Sequence, residues 1–477
     1  MSVLKSQIVK ATSWSLLQRV GTMLISFVTN MILARLLTPD DFGCVGLILT
    51  FVSIADLFVD AGLGQSLIQK QNVEKRDIST VFTTNLLLSV AFFLGIFLIA
   101  PWVEAYMNVP NLALYLRVEA STIIIRSLYV VHNAMVNKQL NFKTLAMVSI
   151  SAAFVSSSIA VVMAILDFGV WSLIGKNITM HLTFCVLFAL SIRIRPSISI
   201  DKKSLKQLFS FGWFVSLSSL VDVLFTNIAS FIIGKRYTVA QLGYYTQAHN
   251  LKQIPVYSLS MVISQVLFPT FSKEQDNIEK IKTQTQKVIT IATALIFPLM
   301  LCLCVVAEPL ISFLYSAKWI PSAPYFRILC VAGMVNILIH INRSVLMAIG
   351  RSKTIFRIQV AAICLGVVMM LVALRFDIMT FIASIALYSF VNWMLISIAT
   401  GKIIGYSMFC QIKDIWLSLL LSLATTALSY FIMIKMGIDS VFLSLVINVV
   451  IFFVIYALSH IVIGSRVFRI IYSEIRR

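Results

Sequence analysis

The chain has 477 residues, 59% of them hydrophobic and only 12% charged, with a mean hydropathy of +0.95. A soluble domain carries about 25% charged residues, so this composition excludes a soluble enzyme or binding domain and points to a polytopic membrane protein. The formal net charge of +19 does not require nucleic acid, because its distribution among the loops follows another rule.

In chain order, about 14 apolar segments are long enough to cross roughly 30 Å of hydrocarbon. In the first half they fall near 11–35, 41–67, 79–101, 112–136, 144–166 and 170–192. In the second half they fall near 208–234, 241–270, 287–315, 323–349, 356–375 and 379–401, and two more follow near 415–434 and 440–463. Lys5 and Lys10 precede the first segment with no small-residue cleavage site, so it reads as a retained helix and not a signal peptide. The expected architecture is all-α: a six-helix lobe over 1–200, a second over 201–405, and two additional helices with a cytoplasmic tail over 406–477.

The stretch LARLLTPDDFG, Leu33–Gly43, closes the first segment and opens the second. Thr38 suits an N-cap, Pro39 the first helical position, and Asp40 and Asp41 the positive end of the helix dipole. The construction returns about 200 positions later as GKRYTVAQLG, Gly234–Gly243, with Thr238 on Thr38 and Gly243 on Gly43. LYLRVEAS (Leu114–Ser121) falls on PYFRILCV (Pro324–Val331), and NFK (Asn141–Lys143) on RSK (Arg351–Lys353). Matches in order imply a duplicated unit. An even number of spans in each half makes the repeat parallel, about an axis along the membrane normal.

With both termini cytoplasmic, the cytoplasmic segments carry about 25 Lys and Arg and the opposite loops about six, as the positive-inside rule requires. Some cations nevertheless lie within spans. Each costs roughly 3 kcal/mol at a helix centre, so they must meet water, acids or the membrane surface. Arg117 and Arg327, near helix ends, fit snorkelling to the surface. Arg19, Arg126, Lys252 and Arg343 sit deeper and are the candidates for a cationic cavity that binds an anionic substrate. Arg can grip phosphate oxygens through two parallel hydrogen bonds. Among the intramembrane acids, Asp56, Asp60 and Asp222 are candidates for ion coupling or for neutralising the cations, and Glu119 is a fourth such acid. The seven cysteines, nearly all within apolar runs, give neither a disulfide framework nor a metal site.

Enzyme motifs are missing. GVWSLIGKN, Gly169–Asn177, misses a phosphate-binding P-loop by spacing and by Asn177 in place of Ser or Thr. Gly401–Gly405 spells GxxxG at a helix end and suits close packing. The reading is therefore a transporter without catalytic residues, cofactor or metal. A membrane-bound polymerase or ligase is the alternative from another class.

The motifs resemble those of a known family. LARLLTPDDFG, VDAGLGQSLIQK (Val59–Lys70), APWVEAYMNVPNL (Ala100–Leu112), DFGVWSLI (Asp167–Ile174), LGYYTQAHNLKQIPV (Leu242–Val256), VLFPTFSK (Val266–Lys273) and AEPLISFLYSAKWIPSAP (Ala307–Pro324) are similar to the polysaccharide transporters of the multidrug/oligosaccharidyl-lipid/polysaccharide (MOP) flippase superfamily. The likeness is strongest to the colanic-acid exporter type of lipopolysaccharide flippase. One departure is NKQLNF (Asn137–Phe142), where Lys138 stands for an Arg: it keeps the charge but not the fork. The resemblance implies a bacterial inner-membrane flippase of two lobes around a cationic cavity. Such a flippase carries a polyprenyl-diphosphate-linked oligosaccharide from the cytoplasmic to the periplasmic leaflet by alternating access, for O-antigen, capsule or exopolysaccharide, alongside polymerase and export machinery. A multidrug/cation antiporter and a peptidoglycan lipid-precursor flippase are alternatives within the superfamily.

Overall fold

The structure, a computed structural model, describes residues 2–60, 62–273, 277–436 and 440–463, without side chains for 2–11, 58, 60, 210–222, 262, 264–270 and 272–273. The first half forms α1 (Ser2–Leu36), α2 (Pro39–Asp60), α3 (Leu63–Gln69), α4 (Lys75–Met107), α5 (Leu112–Lys138), α6 (Phe142–Ile165), α7 (Val170–Ser191) and α8 (Lys202–Arg236). The second forms α9 (Val239–Lys273), α10 (Ile278–Val305), α11 (Ala307–Tyr315), a 3₁₀ turn (Ala317–Ser322), α12 (Ala323–Ala348), α13 (Ser352–Ala373), α14 (Ile378–Ile404), α15 (Met408–Met436) and α16 (Val441–Val462). Among the described residues there is no strand, and 10 helices are long and apolar enough to cross a membrane. The protein is thus an all-helical, multi-pass membrane protein. Long helices outside that set include α2, α5 and α9, which carry Asp56, Arg126 and Lys252.

Two expected spans are broken. The segment at 41–67 ends as α2 at Asp60, and Gly62, at φ 66°, turns the chain into the short α3. That left-handed conformation costs glycine little. The segment at 287–315 ends as α10 at Val305 and restarts as α11. Pro309, which lacks an N–H, falls in the first turn of α11, where a helix start tolerates the missing donor.

The chain forms two compact units, Met1–Gly243 and Tyr244–Arg477. In the first, α5 packs between α4 and α7, α6 packs on α1 and α7, and α2 packs on α5 and α8. Both repeated turns lie here and share one cap. Thr38 Oγ1 accepts from the Asp41 N–H while the Asp41 carboxylate accepts from the Thr38 N–H at 2.8 Å. Thr238 and Gln241 repeat the exchange at 3.1 Å each way. These reciprocal bonds satisfy N–H groups that a helix start leaves open. The two starts also meet: a Cβ on Gly43 would lie 2.0 Å from the Val239 carbonyl oxygen, and one on Gly243 1.9 Å from that of Pro39.

The segment after α7 is docked on α4. Ser197 bonds Ser79, the Ser199 N–H donates to Thr83, and the Asp201 N–H donates to Thr80, at 3.0–3.1 Å. Asp201 then caps α8 through the Ser204 N–H, which holds its carboxyl below the usual range. Lys138 donates to the carbonyls of Leu67, Ile68 and Lys70. It closes the C-terminal end of α3 with an ammonium whose three donors suit three carbonyls better than a planar fork would.

In the second unit α12 packs on α10, α13 and α14, and α10 on α15. Asn342 of α12 and Gln411 of α15, both fully buried, exchange amide hydrogen bonds at 3.0 and 3.1 Å. Ser397 and Trp393 of α14 add donors to the same Gln411 oxygen at 3.2 and 3.4 Å. Gln411→Leu should cost about 1–3 kcal/mol by stranding Asn342, read as a lower Tm of the purified protein, and Asn342→Leu in the same chain should restore part of it. Equal Tm values would show that the network does not tie the three helices.

Candidate functional site

The candidate residues fall into distinct surroundings. In the first unit, Arg19 on α1 is exposed. Arg126 on α5 is ion-paired with Asp56 of α2 at 2.8 Å. The fifth turn of α2 and the middle of α5 thus share one neutral pair, which lets two ionisable groups lie between apolar helices at a bearable cost. Asp60 and Asp222 lie outside the described side chains.

In the second unit, Lys252 on α9 is 3% exposed. Among the described residues no acidic side chain pairs with it. Its stem runs along Gly333 of α12, where a Cβ would sit 3.3 Å from Lys252 Cδ, so the missing side chain makes room for the lysine. His340, on the same helix as Gly333, is within electrostatic reach of both Lys252 and Arg343. Arg343 Nη2 donates to Gln359 Oε1 of α13 at 2.9 Å. This neutral amide orients the guanidinium. Lys252 and Arg343 thus bring two cationic side chains near His340, a cation-rich corner of α9 and α12.

The cations near helix ends are tied locally. Arg117 Nε donates to the Phe97 carbonyl at 3.0 Å with its guanidinium 4.2 Å over the Phe97 ring. Arg327 pairs with Glu308 at 2.8 Å. Sequence reasoning missed two partners. Asn177, the residue that spoils the P-loop match, donates to Glu119 at 2.9 Å. His340 gave no signal beyond being a histidine three residues before Arg343. Among the described residues no group of His, Cys, Asp and Glu could hold a metal ion.

Residues 32–324 match a family model described as polysaccharide biosynthesis protein. The lipopolysaccharide biosynthesis protein WzxC of Escherichia coli K12 is 24% identical over 439 residues, covering 90% of this chain and 88% of its own. The succinoglycan biosynthesis transport protein ExoT of Rhizobium meliloti is 27% identical over 326 residues, covering 68% of this chain and 66% of its own. Among solved structures, the lipid II flippase MurJ in an inward closed conformation aligns with a TM-score of 0.76 over 98% of this chain and 100% of that one, at 15% identity, a likeness of fold. With a family model matched over more than half its length and relatives spanning most of it, the chain belongs to the polysaccharide biosynthesis protein family.

Proposed function

We propose that the protein is a flippase that carries a polyprenyl-diphosphate-linked oligosaccharide from the cytoplasmic to the periplasmic leaflet of a bacterial inner membrane by alternating access. It is a transporter and not an enzyme. The observation that carries the anionic substrate is Lys252: a buried ammonium, with no acid paired to it among the described residues, near His340 and Arg343. Membership of a family whose relatives include a succinoglycan transport protein supports the lipid-linked glycan. Arg19, Arg126, Lys252 and Arg343 are the proposed substrate contacts, with Arg126 available once its bridge to Asp56 opens. Asp56, Asp60 and Asp222 are proposed for ion coupling. Polymerase and export proteins would take the product. The lobes at 1–200 and 201–405, the pair of helices after 405, and about 14 spans in all remain this reading's architecture. Carrying negative charge outward gains about 2.3 kcal/mol per charge per 100 mV of membrane potential.

Deleting the gene should accumulate a lipid-linked, unexported oligosaccharide inside the cell, identified by mass spectrometry of extracted lipid, and the gene on a plasmid should clear it. A deletion strain with unchanged lipid-linked sugars and normal surface glycan would sink the reading. The topology makes its own prediction: reporter fusions near Val73, Ser199 and Asn277 should all report cytoplasm. A periplasmic signal at Ser199 would overturn the parallel lobes.

A further inference from the structure

The first unit holds a series of ionisable side chains that the anion site does not use. Two turns into α5, Glu119 is 1% exposed. Its Oε1 accepts from Asn177 Nδ2 of α7 at 2.9 Å, and among the described residues its Oε2 has no hydrogen-bond partner. Two turns further along α5 stands Arg126, bridged to Asp56 of α2 at 2.8 Å. Next come Tyr129 Oη and His181 Nδ1 of α7, 2.8 Å apart. His132 follows, with Nε2 at 3.0 Å from the Ile194 carbonyl and Nδ1 without a partner. Ile194 belongs to the segment docked on α4, where α5 reaches its last turns. These contacts are separate pairs spaced along α5 from Glu119 to its last turns.

Its charges can be counted. Glu119 is within electrostatic reach of Asp56, and Arg126 is already bridged to Asp56. The other ionisable groups on elements packed against α5 are Asp40, Asp41 and Cys44 early in α2, Lys75, Arg76, Asp77, Glu104 and Tyr106 at the ends of α4, Lys143 at the start of α6, and Lys176, His181 and Cys185 on α7. On α5 itself there are also Tyr115, Arg117 and Lys138, and the Asp60 side chain is not described. Among the described residues none of these forms an ion pair with Glu119. One arginine cancels one carboxylate. A second carboxylate beside it would be a buried anion with one amide donor, which burial penalises heavily. One proton on Oε2 closes the count.

We propose that Glu119, held by Asn177, is a proton-binding site of the first unit, separate from the cationic corner of the second. The inference rests on the transport reading, in which this proton is the coupling ion. Oε2 takes up a proton from the end of the span where α5 begins, turning carboxylate to carboxylic acid. It releases that proton when the α5–α7 contact opens to water on the other side, regenerating the carboxylate. The neutral form suits the packed α5–α7 contact and the anionic form suits a conformation that admits water, so proton binding and release bias the two states that transport alternates between.

The test has two arms on the full-length protein. Infrared spectra of the purified wild type should show the carbonyl stretch of a buried protonated carboxyl, lost in Glu119→Gln and weakened in Asp56→Asn, which frees Arg126 to oppose Glu119. In the gene-deleted strain, wild-type export should fall when a protonophore is added. Glu119→Gln should reach the membrane, export about tenfold less or lower still, and no longer respond to external pH, with one pH unit worth about tenfold in the wild type. Glu119→Asp should recover part of that response. A wild type without the infrared band, or Glu119→Gln exporting with the wild-type protonophore response, overturns the proposal. Should Glu119→Gln fail to accumulate, Glu119→Asp decides by infrared, since the band must shift in frequency if Glu119 carries it. Failure of the wild-type gene to restore export would instead remove the transport reading and leave the infrared result standing.

Discussion

Gly243→Ala should lower the Tm of the purified protein markedly and reduce its level in the membrane, and Gly43→Ala should do the same. Each methyl would be driven to about 2 Å from a backbone carbonyl oxygen, Pro39 in one case and Val239 in the other. A flexible side chain could swing aside, but a carbonyl at the first residue of a capped helix cannot move without the helix. Separating the two starts also strains the Thr38–Asp41 and Thr238–Gln241 exchanges, because the same residues anchor the crossing. Overpacking of this kind costs about 1–3 kcal/mol and occasionally more, a large share of a net stability of about 5–15 kcal/mol. The two glycines serve one contact, so the double variant should cost less than the sum. Gly95→Ala is the control: a Cβ there meets nothing within 4 Å, and alanine favours a helix interior by up to about 1 kcal/mol. A Gly43→Ala protein that melts with the wild type would mean that α2 and α9 do not cross closely at their starts.

That crossing also shows what a sequence discloses. The caps at Thr38 and Thr238 were readable because a cap is local: four consecutive residues decide it. The breaks in two expected spans had local signals as well, at Gly62 and Pro309, but the apolar run continued past both and length outweighed them. The contact of Gly43 with Val239 was not readable, although both residues stood in the repeated motif, because a repeat says that two segments are alike and nothing of whether they touch. The site divides in the same way. Arg126 and Asp56 were each visible as costly charges inside spans. That they cancel each other depends on α2 lying against α5, about 70 residues away in sequence. Asn177 was noticed for the motif it spoils, and its bond to Glu119 appears only once α5 and α7 are side by side. Pairing in helical membrane proteins is long-range, while periodicity and capping are not.

Lys252→Met is expected to raise stability and lower export at once. Methionine fills nearly the volume of the lysine stem along Gly333 and leaves no buried ammonium. Replacing a buried charge by an apolar side chain of similar size is neutral to stabilising, so the Tm should rise by about 1 °C for each kcal/mol gained in a chain of this length. If the ammonium served the fold, the same variant would melt lower. Export should fall about tenfold or more, the loss of one charge-assisted hydrogen bond worth roughly 1.5–3 kcal/mol. Arg343→Gln should act similarly. Arg343→Lys should recover part of the activity, because lysine keeps the charge but cannot hold Gln359 and an anion through one planar fork. Arg117→Gln is the control, since that guanidinium is engaged by the Phe97 carbonyl and ring, and it should export near the wild-type level. The measurement is surface glycan per unit of membrane-inserted protein in the gene-deleted strain, with Tm on the purified variants. If Lys252 and Arg343 bind one anionic group, the Lys252→Met/Arg343→Gln double variant should lose less than the product of the single losses. Normal export by both single variants would remove the anion site from α9 and α12.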